Sequence, residues 1–271
     1  MIDPREHESL SALLTASQRM SIPVMLVGAF ARKLGFDDAR GLAPPRTRDW
    51  DFAAHVPSLT AYEDLLRCLE QEFDFDVSIE RGTARHANGV EIDLLPVGAL
   101  AGPDHVVRRL GSAMTVRGYA EAWQLAPWLE VGPGLSFQVP TPAGYVVLKL
   151  FAWFDRRLLK HLQDVDHVLQ HFDITQGERL FDTDSNTDWE RVTMDVAGAW
   201  LLGRDVAAGF DSGTREHLSA IVTAIDDVAV AGVARRIASP PSDQDEALVR
   251  ARLEAFGAAM LPKAFAATCS E

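Results

Sequence analysis

Three acidic residues sit where their spacing could do chemistry. Asp49 and Asp51 are two apart in Asp49-Trp50-Asp51-Phe52, and Asp93 follows Glu91 in Val90-Glu91-Ile92-Asp93-Leu94-Leu95. In a strand, residues i and i+2 project from one face. Asp49 and Asp51 therefore point together while Trp50 and Phe52 point away, and Glu91 and Asp93 do the same against Ile92 and Leu94. Ionised carboxylates held this close repel, and the conflict is relieved by protonation or by a cation. A hard divalent ion resolves it well: Mg²⁺ takes carboxylate oxygens at about 2.0–2.1 Å, and Mn²⁺ suits the same donors. If the two strands are neighbours, Asp93 completes a three-carboxylate cage. Such a cage can hold two metals, one activating an attacking hydroxyl and one clamping nucleotide phosphates. Alone, an Asp-x-Asp pair is more often just a half-exposed strand, so the surrounding elements carry the weight.

Those elements can be read from periodicity. Glu8 to Ala16 has the spacing of a short amphipathic helix, and Ile22 to Val27 is an apolar run ending at Gly28, a buried strand. Ala29 to Leu34 continues with helical spacing, and Gly35 to Thr47 is loop-like, broken by Pro44-Pro45. Asp49 to Val56 begins as a strict alternation. Leu59 to Phe73 predicts a helix, and Phe75 to Ile79, Thr83 to Ala87 and Val90 to Leu95 predict strands, with Asn88-Gly89 as a hairpin signal. The pattern is then irregular until a strand at Leu135 to Val139. Ala143 to His171 is helical, Asp173 to Asp188 a polar linker, and Trp189 to Ala267 Ala-rich and helical, interrupted at Ser239-Pro240-Pro241-Ser242. The expectation is an α/β (α+β) half followed by a helical half.

The ordered set Leu26-Val27-Gly28-Ala29, Thr47-Arg48-Asp49-Trp50-Asp51-Phe52 and Glu91-Ile92-Asp93-Leu94-Leu95-Pro96 resembles the nucleotidyltransferase superfamily. More narrowly it resembles the AbiEii-type nucleotidyltransferases of bacterial toxin–antitoxin and abortive-infection systems. The likeness continues through the segment from Met114 to Trp123, then Leu148 to Arg156, Lys160 to Val165 and Leu201 to Val206, so it spans most of the chain. It implies a mixed sheet flanked by helices as the catalytic core over 1–140, and a helical region over 141–271 that completes the cleft. It also implies transfer of a nucleoside monophosphate from an NTP, with Mg²⁺ or Mn²⁺. The acceptor it implies is RNA, such as a tRNA end, with a protein hydroxyl next; a cognate antitoxin is a partner it would bring. By this resemblance Asp49, Asp51 and Asp93 are the catalytic and metal-holding carboxylates. Gly28 lets backbone approach the phosphates, and Ala29 occupies the next position, without the hydroxyl the family often has there. Lys149 matches the cation that touches triphosphate. In the family's Lys-Asp-x-x-Asp pattern this chain has Lys160, His161 and Asp164, so a histidine replaces one acid. Ala29 and His161 keep open a non-catalytic nucleotide- or protein-binding module. A small-molecule, antibiotic-modifying nucleotidyltransferase is a second alternative.

Lys149, Trp153, Arg156, Lys160 and Asp164 fall along one stripe of a continuous helix. One reading is a polar cleft wall, with Lys149 neutralising phosphate, Trp153 stacking on a base and Asp164 beside them. The other is a solvated face with a packed Trp. Arg32 or Lys33, just after Gly28, could reach a triphosphate, while Arg46 and Arg48 flank Asp49 and could pair with it. The histidines lack the pattern of a zinc protease and read as surface residues.

Composition narrows the classes. The 271 residues carry a net charge of −13, are 47% hydrophobic and include two cysteines. That is an ordinary soluble, globular profile, against a disulfide framework and against extensive nucleic-acid wrapping. The charge is uneven: between His105 and His161 there are seven Lys/Arg against three Asp/Glu, and between Phe172 and Glu254 eight against sixteen. No run approaches the roughly 18 apolar residues of a membrane span, and the charged N-terminus does not read as a signal peptide. The expected location is cytoplasmic.

Overall fold

The computed structural model describes residues 2–43, 47–109, 112–172, 192–237 and 241–261. The chain divides into two compact units, Met1–Tyr145 and Val146–Glu271. The first is built on a seven-stranded mixed sheet flanked by helices; the second is helical over its described residues. The expected α/β class, with a helical C-terminal half, is what the chain forms.

The first unit runs α1 (Pro4–Met20), β1 (Val24–Val27), α2 (Gly28–Arg32), β2 (Asp49–Val56), α3 (Leu59–Glu72), β3 (Phe75–Ser78), β4 (Thr83–His86) and β5 (Glu91–Gly98). It continues with β6 (Val106–Arg109), β7 (Ser112–Thr115), α4 (Tyr119–Leu125), β8 (Trp128–Gly132) and β9 (Leu135–Gln138). The main sheet has the order β3-β4-β5-β2-β1-β9-β8, and β6 and β7 form a separate hairpin. β2 lies at the centre, antiparallel to β1 and parallel to β5. Helix α1 is longer than its apolar spacing indicates because Asp3 and Glu6 form a capping box with Pro4 in the first turn; together these satisfy orphan N–H groups and start the helix early.

One face of the sheet is dry. Leu10 and Leu13 of α1, and Tyr62, Leu65, Leu66 and Leu69 of α3, pack with Trp50, Phe52, Ile92, Leu94 and Phe137 in one core. The i, i+3, i+4, i+7 spacing on α3 is a helix stripe meeting the period-two stripe of β2 and β5. Each fully buried Leu contributes about 1.5–3 kcal/mol, which is what holds the alternation in register. Phe30 of α2 stacks on Trp50, ring centroids 3.9 Å apart and planes within 2°, and so anchors the segment after β1 over β2.

Two expectations in this unit are corrected. The segment from Gly35 is not loop throughout: a π-turn at Lys33–Asp37 and a 3-10 turn at Asp38–Arg40 extend the helical path. The stretch between β5 and β9 is not irregular, since it holds β6, β7, α4 and β8.

The second unit receives the end of α5 (Pro142–Arg156), then α6 (Leu159–His171), α7 (Met194–Gly209), α8 (Ser212–Thr223), α9 (Asp227–Ala234) and α10 (Asp243–Met260). The helix expected without interruption from 143 to 171 is broken: Arg157 adopts the left-handed conformation, φ 53°. Close packing of α7 on α10 depends on Gly203, where a Cβ would lie 2.4 Å from the Phe256 carbonyl oxygen. Inside this unit Arg252 and Asp166 form a buried pair, Nε to Oδ1 2.8 Å. The expected linker at 173–188 and the first half of the interruption at 239–242, Ser239 and Pro240, lie outside the described residues. No single described helix is long and apolar enough to cross a membrane.

Candidate functional site

The carboxylates meet. Pairing of β2 with β5 sets Asp49 opposite Glu91 and Asp51 opposite Asp93, and one oxygen from each of Asp49, Asp51 and Asp93 lies within 4.8 Å of the others. All three are half-buried, on the sheet face opposite Trp50, Phe52, Ile92 and Leu94. Glu91, expected to share this face, is exposed and outside that grouping. Unit charges about 5 Å apart repel by roughly 3–4 kcal/mol per pair at an effective dielectric near 20. An all-oxygen set of three acids at that spacing suits a hard divalent ion and does not suit a zinc site built from Cys and His.

Each carboxylate has local support. Thr47 Oγ1 donates to Asp49 Oδ1, and the Arg48 amide donates to the same oxygen at 3.3 Å. Asp51 lies opposite Val27, the residue before Gly28. Gly28 has φ +70°, and a Cβ built on it would fall 1.9 Å from Asp51 Oδ2. The Asp51 carboxylate thus takes the space that any side chain at position 28 would fill, and the left-handed angle is one that glycine adopts without strain. Beside Asp93, the Tyr62 hydroxyl on α3 donates to the Leu94 carbonyl oxygen at 2.6 Å, and the Leu94 amide bonds the Gly82 oxygen at 2.7 Å. These contacts clamp β5 at the residue after the third acid. The three acids therefore fit a divalent metal, and Gly28 fits beside them because it lets Asp51 stand close to the backbone.

The remaining candidates fall into different places. Ala29 follows Gly28 on α2. Arg32 is buried, its Nε bonded to Asp37 Oδ2 at 2.9 Å, so the guanidinium is committed to an internal ion pair rather than offered to a triphosphate. Lys33 pairs with Asp38 at 2.8 Å. In the second unit, the break at Arg157 dissolves the expected single stripe: Lys149, Trp153 and Arg156 lie on α5, Lys160 and Asp164 on α6. The bend instead brings Lys149 Nζ to Asp164 Oδ2 at 2.7 Å. Trp153 is only 4% exposed, and the Arg157 guanidinium lies 4.5 Å from its ring centroid. That is a packed aromatic, not an open stacking platform.

His161, expected at the surface, is 5% exposed. Burial pushes its pKa down to about 4, helped by the positive charges of Lys149, Lys160 and Arg156 and opposed by Asp164. The imidazole is therefore neutral at pH 7 and does not replace the charge of an acid. Thr47, although part of the recognised motif, carried no expected role. Its signal was its position two residues before Asp49.

No family model matches the chain, and no curated protein matches it. Among solved structures the neighbours are nucleotidyltransferase-fold proteins, all at low score. The antibiotic-resistance factor ANT(2'')-Ia is 13% identical, covers 66% of this chain and 90% of its own, and has a TM-score of 0.38. The CD-NTase CdnG of Bradyrhizobium diazoefficiens, in complex with GTP, is 12% identical over 95% of this chain and 87% of its own, TM-score 0.32. The Thermotoga maritima CCA-adding enzyme complexed with tRNA is 13% identical over 96% and 80%, TM-score 0.33. At these scores the likenesses say nothing of substrate or activity.

Proposed function

We propose that this protein is a metal-dependent nucleotidyltransferase, moving a nucleoside monophosphate from an NTP to an RNA acceptor such as a tRNA end. The observation that supports this is the convergence of Asp49, Asp51 and Asp93 within 4.8 Å on adjacent parallel strands. Mg²⁺ or Mn²⁺ bound there would bring positive charge to the triphosphate and acidify the acceptor hydroxyl. Asp49 and Asp51 would hold and orient that charge. The acceptor oxygen bonds to the α-phosphorus as the bond to the bridging oxygen breaks and pyrophosphate leaves; Asp93 takes the hydroxyl proton. Gly28, with only a hydrogen where a side chain would stand, lets the Asp51 carboxylate lie against the backbone at the end of β1. RNA as acceptor, and a role as the toxin of a toxin–antitoxin or phage-defence pair, are carried by the sequence resemblance.

The test is incubation with labelled NTPs, Mg²⁺ and total RNA. Label should appear on RNA, disappear with EDTA, and fall by at least about a hundredfold in Asp49→Ala, the scale of losing one transition-state charge contact. Metal-dependent NTP binding without transfer to any acceptor would replace the enzyme with a binding module. Label on an aminoglycoside and none on RNA would change the acceptor class.

A further inference from the structure

We infer that Thr47 is a positioning residue for the Asp49 carboxylate, setting its rotation for cation capture; this rests on the reading of the three acids as a metal site. Thr47 lies outside β2, two residues before its first acid, and its hydroxyl donates to Asp49 Oδ1. The Arg48 amide donates to that same atom at 3.3 Å. A carboxylate rotates broadly about its terminal torsion, so two donors converging on one oxygen select one orientation. Thr47 is a good lever for this because β-branching stiffens χ1 and holds the hydroxyl in place. A ligand acid whose orientation is set by a neighbouring donor captures metal with less reorganisation, and loss of such a partner typically costs about 10–100-fold in affinity. Neither donor carries charge to the site. The contribution is orientation, and an isosteric change removes it cleanly.

Mn²⁺ binding to the full-length protein, followed by electron paramagnetic resonance and by calorimetry, tests this without any turnover. Thr47→Val keeps the branched shape and deletes the hydroxyl; it should weaken Mn²⁺ binding by about tenfold or more. Thr47→Ser should restore binding to within about twofold, because the hydroxyl returns. Thermal midpoints measured in EDTA should be alike for all three proteins, which a role in fold stability alone would not produce. If Thr47→Val does not fold, Thr47→Ala deletes the same hydroxyl with less bulk and is judged by the same affinities. Unchanged Mn²⁺ affinity in the hydroxyl-less variant, while Asp49→Ala loses binding, overturns the assignment of Thr47 and leaves the carboxylate site standing. Equal binding by wild type and Asp49→Ala removes the carboxylate site itself, and the role of Thr47 with it.

Discussion

A methyl group at position 28 would enter space that the Asp51 carboxylate already fills, 1.9 Å from Oδ2. It would also force a side chain into the left-handed region, costing about 1–2 kcal/mol. Gly28→Ala should therefore displace Asp51 and lower Mn²⁺ affinity by at least about tenfold. Calorimetric titration alongside a thermal melt checks this, and normal affinity in a folded variant would contradict it. At this scale the acids were legible before any coordinates, because a period of two leaves them no face but the one opposite Trp50 and Phe52. The fate of Arg32 was not. Its partner Asp37 sits five residues on, brought back by a π-turn, and no residue pattern marks such a turn. Thr47 was visible as a motif letter, but its hydrogen bond depends on a rotamer that spacing does not encode.

The α5–α6 break shows what elements add to residues. Apolar spacing runs through 143–171 with no Gly or Pro at the break, and the left-handed Arg157 ends α5 without a composition signal. The bend pairs Lys149 with Asp164 and encloses His161. Because the folded pKa of His161 is near 4 and the unfolded value near 6.5, the unfolded chain binds the extra proton first as pH falls. The contribution of neutral His161 is complete above pH 6.5, declines between 6.5 and 4, and is flat below. The thermal midpoint should drop across that window more steeply in wild type than in His161→Leu. Each kcal/mol corresponds to about 2–4 °C in a chain of this size. NMR titration of the His161 ring should find its midpoint near pH 4; a midpoint near 6.5 would show the ring to be solvated. The missed strands between β5 and β9 are four or five residues long, no shorter than β3 and β4, but Val106-Val107-Arg108-Arg109, Ser112-Ala113-Met114-Thr115 and Trp128-Leu129-Glu130-Val131 lack a strict apolar–polar alternation.

For the molecule as a whole, a net charge of −13 limits how the proposed RNA acceptor would be held. Each phosphate neutralised on a single strand contributes about −0.7 to the slope of log affinity against log salt. A chain this acidic should show a shallow slope, near −2, for about three phosphate contacts. Binding of the RNA product measured from low to physiological salt gives that slope directly. A slope several times steeper would mean a broad basic track, which the charge distribution does not supply.

The parallel alignment of β2 with β5 carries a further consequence for how the site comes into being. Antiparallel neighbours can close through a hairpin, but parallel ones require a crossover, here α3, β3 and β4 between Asp51 and Asp93. A ribosome-bound or partly unfolded chain thus exposes the aspartates without uniting them, and has no chelating pocket to offer. The proposed cation affinity would in that sense be a property of the finished sheet: added ion should stabilise the native state by mass action while leaving the rate at which the crossover assembles untouched.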